Sequence, residues 1–218
     1  MARLSEEAWL TCQEPGPMLD RFRNKGRAHP LRRFACACLR RVEHLLTGET
    51  ERRGLEAAEQ YADLLLGPEA LTEVREAVRA LGVGHGPELD ARRAVVAALV
   101  ADEVYVPAAR ATAEMAARAV AAGNRMRRAE EELAQANLVR DIFYNPFRPL
   151  LIAASWLTPQ VVDLARRIDE ARDFRRMPVL AEALAQAGCT SAPLLDHCRA
   201  GGLHVRGCWA LDAILGRR

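Results

Sequence analysis

"LRRFACACLRRVEHLL", Leu31–Leu46, decides the fold class. Leu31, Phe34, Ala35, Cys38, Val42, Leu45 and Leu46 recur at intervals of three and four residues. That spacing sets them on one face of a helix and demands another element to cover it. Thr47-Gly48 ends the pattern, and the same grammar repeats on either side. Upstream, Ser5 caps a short helix through Trp9 and Leu10, "QEPGP" (Gln13–Pro17) stops it, and a second segment runs from Met18 to "NKG" (Asn24–Gly26). Downstream, Thr50 opens a helix with Leu55, Ala58, Tyr61, Ala62 and Leu65 on one side. Gly67-Pro68 then stops the chain and restarts it as a helix over 68–81.

Beyond "GVGHGP" (Gly82–Pro87), the alanine-rich stretch 88–123 is helical with an interruption at Pro107, which lacks a backbone donor. A helix over 124–143 meets a rigid connector, "YNPFRP" (Tyr144–Pro149). Thr158 and Pro159 read as N-cap and first helical residue, and three further helices each end in glycine, at Gly188, Gly201-Gly202 and Gly216. Neither period-2 alternation nor a βαβ order occurs. The expectation is a compact, irregular all-α protein without significant β-sheet, one domain over 1–218 with its ends packed together and flexible breaks near 82–87 and 123.

Half of the 218 residues are hydrophobic and 28% are charged, a balance that excludes a disordered chain. Thirty arginines stand against one lysine, Lys25. The net charge of +2 hides an uneven distribution: Arg21–Arg53 carries ten basic and three acidic residues, Gly54–Val139 nine basic and fourteen acidic. Two readings follow, internal complementarity or an anion-attracting patch at Arg21, Arg23, Lys25, Arg27, Arg32 and Arg33. Met1–Leu10 lacks the apolar core of a signal peptide, and "AVVAALVA" (Ala94–Ala101) is too short to span a bilayer. The expectation is a cytoplasmic protein with no membrane partner and six reduced thiols.

"HCRAGGLHVRGCW", His197–Trp209, concentrates the reactive side chains. The spacings Cys189-x7-His197, Cys198-x5-His204 and His204-x3-Cys208 match no standard zinc knuckle. On a helix, His197 and Cys198 point about 100° apart, so both do not grip one ion, although a turn at Gly201-Gly202 would fold His204 and Cys208 back. In "FACACLRR", Cys36 and Cys38 lie about 200° apart on a helix. Cys38 falls on the apolar face; for Cys36, which has arginines nearby, packing is the first reading and a low-pKa thiolate the alternative. No nucleophile elbow, zincin motif or P-loop occurs.

The words "EEAWLTCQEPGPMLDRFR", "RRFACACLRRVEHLLTGE", "LVRDIFYNPFRP", "WLT", "MPVLAEALAQAGC" and "HCRAGGLHVRGCWALDAILG" resemble an uncharacterised, paralogue-rich group of bacterial proteins of planctomycete type. The resemblance covers both ends of the chain and leaves the alanine-rich middle loose. It implies no particular chemistry. Against the group's pattern, Tyr144 stands where glycine is expected, and must take a glycine's turn. Leu39 and Asn137 stand where cysteines are expected, so a metal site that needed those cysteines would be missing.

The function expected is a non-catalytic interaction or scaffold module with a protein partner and no cofactor. Arg140, Asp141, Asn145, Arg148, Arg199, His204, Arg206, Trp209 and Asp212 are expected to form one polar cluster where helix ends meet, with Trp209 anchoring the last helix. The alternative is a zinc- or thiol-dependent site built from Cys36, His44, His197, Cys198, His204 and Cys208. A second alternative is weak, salt-sensitive nucleic-acid binding through Arg21–Arg33.

Overall fold

Stop signals divide the chain into helices, and the computed structural model, which describes residues 4–23, 28–82, 84–101 and 105–217, is all-α, with no strand among the described residues. It divides into two compact units, Met1–Val139 and Arg140–Arg218. Each is described by itself.

In the first unit α1 (Glu6–Thr11) is capped by the Ser5 hydroxyl, which accepts the Ala8 N–H at 3.1 Å. The proline-rich stop expected after it is itself helical: α2 (Pro15–Asp20) starts on a proline, where a missing N–H costs nothing. Next comes α3 (Ala28–Arg41), continued by a 3-10 turn at Glu43–Leu45. Its expected face is buried at Leu31, Phe34, Ala35, Cys38, Val42 and Leu46. The element packs against α4 (Glu49–Ala62), α6 (Gly86–Ala98) and α7 (Tyr105–Ala121), so more than one face is covered. Cys36 is therefore buried as well, and burial pushes its thiol up to about 12. Packing, the first reading for Cys36, holds, and the alternative of a low-pKa thiolate beside its arginine neighbours does not: desolvation outweighs their charge.

The turn after α4 holds Leu64 at φ 60°, and Leu65, expected on the buried side, is 76% exposed because the helix has already ended at Ala62. Past α5 (Pro68–Arg79), α6 starts on Gly86, inside the break expected at 82–87; Val83 lies outside the described residues. Pro107 does not interrupt a helix. It sits in the first turn of α7, where no intrahelical donor is required. The Asn124 side chain accepts the N–H groups of Met126 and Arg127, at 2.9 and 3.2 Å, to start α8 (Arg125–Phe143).

Charge complementarity is internal. Arg33 pairs with Asp63 in the interior, Arg40 with Glu59 at 2.7 Å, and Arg41 grips Glu131 with two 2.7 Å bonds. Arg23 pairs with Asp20, and the Arg32 guanidinium lies between the rings of Tyr61 and Tyr105, 4.1 and 4.8 Å from their centroids. Arg23, Arg32 and Arg33 of the anion-attracting patch are thus already engaged, and Arg21 makes interactions of its own. Lys25 and Arg27 lie outside the described residues. No helix among the described residues is long and apolar enough to cross a membrane.

Gly54, on α4, faces α5 and α6. A Cβ there would sit 2.5 Å from Val95 Cγ1 and 3.1 Å from Val78 Cγ2. Gly54→Ala is expected to cost up to about 2 kcal/mol, because overpacking of about 1–3 kcal/mol offsets or exceeds the roughly 1 kcal/mol gained in helix propensity. Urea denaturation checks this; a raised midpoint would show that both valines can move aside.

The second unit begins with the last turn of α8. Tyr144 follows at φ 58°, the left-handed turn expected of it. Asn145 Oδ1 then accepts the Phe147 N–H at 3.0 Å and shapes the connector. Thr158 caps α9 (Pro159–Ala171) through the Val161 N–H, as its position before Pro159 predicts. After α10 (Met177–Gln186), α11 (Ala192–Arg199) and an irregular segment comes α12 (Trp209–Ile214). Their apolar faces form one core, including Ile168, Leu180, Leu184, Leu194, Cys198, Cys208, Trp209 and Leu211.

Candidate metal centre

Three features of chain direction converge in the second unit. The end of α8 presents Asp141, the last turn of α11 presents His197, and the segment after Gly201-Gly202 returns to present His204 and, at the N-cap of α12, Cys208. One donor atom from each of the four lies within 4.8 Å of every other. Asp141 Oδ1 is 2.9 Å from His204 Nδ1 and 3.3 Å from His197 Nε2, while Cys208 Sγ is 3.1 Å from His197 Nε2 and 3.9 Å from His204 Nδ1. A tetrahedron of nitrogen, oxygen and sulfur around zinc has edges of about 3.3–3.6 Å. The four measured distances bracket that value.

The remaining atoms of two donors are braced. His204 Nε2 lies 3.3 Å from the Ala200 carbonyl, which only accepts, so Nε2 carries the hydrogen. Asp141 Oδ2 accepts the Val205 N–H at 3.0 Å. A neutral His204 therefore aims the Nδ1 lone pair at a carboxylate oxygen 2.9 Å away. Two acceptors at that distance repel unless a proton or a cation lies between them. Metal-binding histidines and carboxylates are commonly oriented in this way by their outer atoms.

The arrangement is not a cysteine–histidine relay. A relay base offers one ring nitrogen to the nucleophile and the other to the carboxylate. Here each histidine turns a single nitrogen towards both Asp141 and Cys208. Cys208 is fully buried, and burial, reinforced by Asp141, holds its thiol well above the ordinary value.

Burial would raise Asp141, yet its hydrogen bonds and charge interactions with His197 and His204 leave its carboxyl below the usual range. Burial would likewise lower His204, but the Asp141 hydrogen bond and charge, with the Ala200 carbonyl, hold it above its ordinary 6.5. Without metal, the His204 contribution to stability is present below pH 6.5 and is lost as pH rises through the raised value. The Asp141 contribution is present above pH 3.8 and is lost as pH falls through the lowered value. Metal-free protein should therefore lose stability as pH rises from 6.5 through the raised His204 value, whereas zinc-loaded protein should gain, since binding requires deprotonated donors. Urea midpoints across that range check this; parallel profiles for the two forms would contradict it.

Of the expected polar cluster, Asp141 and His204 meet directly, and Trp209 joins them through the His197 ring, 4.6 Å away centroid to centroid. Arg199 lies instead on the exposed side of α11, 3.8 Å from Asp196. Asp212 is 4.0 Å from Arg217 of the C-terminal tail. Arg140, Asn145, Arg148 and Arg206 have interactions of their own and are not among the four donors. From the metal alternative, His197, His204 and Cys208 are brought together. Cys198 faces the core, its thiol pushed up to about 12 by burial; Cys36 and His44 belong to the first unit. Asp141 was placed in the polar cluster and not in the metal set. Its distance along the chain from the histidines, with no motif joining them, hid the fourth donor.

Fold and site together define the class: an all-α protein with a buried Asp-His-His-Cys constellation in its second unit. Comparison with protein-family models, with curated proteins and with solved structures finds no match to this chain.

Proposed function

We propose that the chain is a non-catalytic helical module whose second unit is organised by a structural zinc ion. Asp141, His197, His204 and Cys208 would hold the ion. The observation that carries this is the aim of the two histidines: each directs one nitrogen at the same carboxylate oxygen and the same sulfur. Two nitrogens, one oxygen and one sulfur, all within 4.8 Å of one another, suit zinc, whereas calcium and magnesium require oxygen donors. The ion would supply the positive charge that this buried set of acceptors needs, and four protein donors would leave it no open position.

All four donors lie inside "LVRDIFYNPFRP" and "HCRAGGLHVRGCW", words on which the resemblance to the planctomycete-type bacterial group rests. We therefore link membership of that group with the metal centre. The partner of the module is another protein. Leu64 and Leu65, both largely exposed at the turn after α4, are apolar side chains available to it.

Elemental analysis of the full-length protein tests the zinc reading. About one zinc per chain is expected, lost in Cys208→Ser and Asp141→Asn, with a tetrahedral visible spectrum on cobalt substitution. Protein expressed with ample zinc that carries none, and that leaves added cobalt octahedral, would overturn it.

A further inference from the structure

The four donors are not equivalent. The His197 side chain is 19% exposed, against 4% for Asp141 and 5% for His204, and Cys208 has no exposure. Asp141 and His204 each have their outer atom fixed by backbone, through the Val205 N–H and the Ala200 carbonyl. Cys208 is fixed by its place at the N-cap of α12 within the core. The second nitrogen of His197, Nδ1, has no hydrogen-bond partner among the described residues. Apart from its Nε2 contacts, its ring is held by ring contacts, the tilted Trp209 ring at 4.6 Å and 43° and the edge-on His204 ring at 4.8 Å and 78°. Beyond it the chain leaves α11 for Gly201 and Gly202, where a side chain would meet nothing within 4 Å.

We propose that His197 is the exchangeable ligand of the centre, the position through which the ion is loaded and released and at which a small neutral donor such as an imidazole reaches it. This rests on the zinc reading above. Outer hydrogen bonds orient metal ligands, and losing one typically weakens a site 10–100-fold. His197 starts without one. It is also the donor that solvent reaches, so rotation of one side chain opens a coordination position while the other three stay in place. Opening at Asp141, His204 or Cys208 would require backbone hydrogen bonds or core packing to break first.

The test uses zinc-loaded full-length protein and a coloured chelator in stopped flow. If His197 swings aside to admit the chelator, release should accelerate in proportion to chelator concentration. A rate independent of chelator and equal to the rate of global unfolding would overturn the proposal. His197→Ala should keep its zinc but release it faster than the wild type. Its cobalt form should bind imidazole saturably, with a return towards the wild-type visible spectrum. His204→Ala, which removes a buried and braced donor, should hold cobalt too weakly to show such a response. An equal response in both variants, or none in a folded, metal-bearing His197→Ala, would also overturn it. Should His197→Ala fail to fold, the chelator dependence of the wild type decides. A wild-type chain that takes up no zinc removes the metal reading itself, a result distinct from a zinc protein that opens elsewhere.

Discussion

Stripping zinc from the full-length protein with a strong chelator is expected to lower the unfolding free energy of the second unit by at least about 4 kcal/mol, the linkage for a ligand present at a thousandfold its dissociation constant. Structural zinc binds zinc-finger peptides with about 10–16 kcal/mol, so 4 kcal/mol is a floor. The cause lies in what the four donors join. Between Arg199 and Trp209 the chain forms no helix, and its internal backbone bonds are few, such as the 3.0 Å bond from the Cys208 N–H to the Val205 carbonyl. An ion held by the end of α8, the end of α11, this segment and the start of α12 would crosslink all four. Without it, the buried carboxylate of Asp141 depends on a protonated His204 and the Val205 N–H. His204→Ala should reproduce the loss in zinc-containing buffer. Urea denaturation with and without chelator is the measurement; coincident midpoints would show that the segment is held by protein contacts alone.

Trp209→Ala is the second large effect, at about 3–5 kcal/mol, a large share of a typical 5–15 kcal/mol. Trp209 is 2% exposed and belongs to the apolar core of the second unit. Its ring contacts Tyr144 at 4.5 Å and His197 at 4.6 Å, so it joins the turn after α8 to the last turn of α11. Truncation leaves a cavity at the start of α12 and removes the face on which His197 rests. The variant should therefore bind zinc more weakly as well as unfold at lower urea, with Asp141, His204 and Cys208 still in place. A midpoint within error of wild type would mean that the surrounding leucines close over the gap.

The two effects depend on different kinds of information. Helix starts and stops were legible because each is decided within a few residues: Ser5, Asn124 and Thr158 accept backbone N–H groups two or three positions away. The apolar face of α3 was legible for the same reason, since a period of 3.6 residues is a local property. Tyr144 also acts locally, through its own φ. Errors arose where a second element intervened. Cys36 looked like the polar side of a helix covered on one face, but α3 is covered on more than one. For the arginines of the N-terminal part, pairing with the acidic middle was legible as charge balance but not partner by partner: Asp63, Glu59 and Glu131 reach Arg33, Arg40 and Arg41 from distant sequence.

The candidate metal centre divides in the same way. The sequence by itself determined the all-α class, most helix boundaries, the anchoring place of Trp209, and the dense stretch that supplies His197, His204 and Cys208. It also determined that His197 and Cys198, adjacent on one helix, would part company. Only the tertiary structure decided that Asp141 joins them, which nitrogen each histidine offers, and that the outer nitrogen of His197 has no hydrogen-bond partner among the described residues, while Asp141 and His204 are braced. Ligand geometry depends on where helix ends meet, and that is settled by the packing of whole apolar faces, a sum over many weak contacts that no short spacing in the chain records.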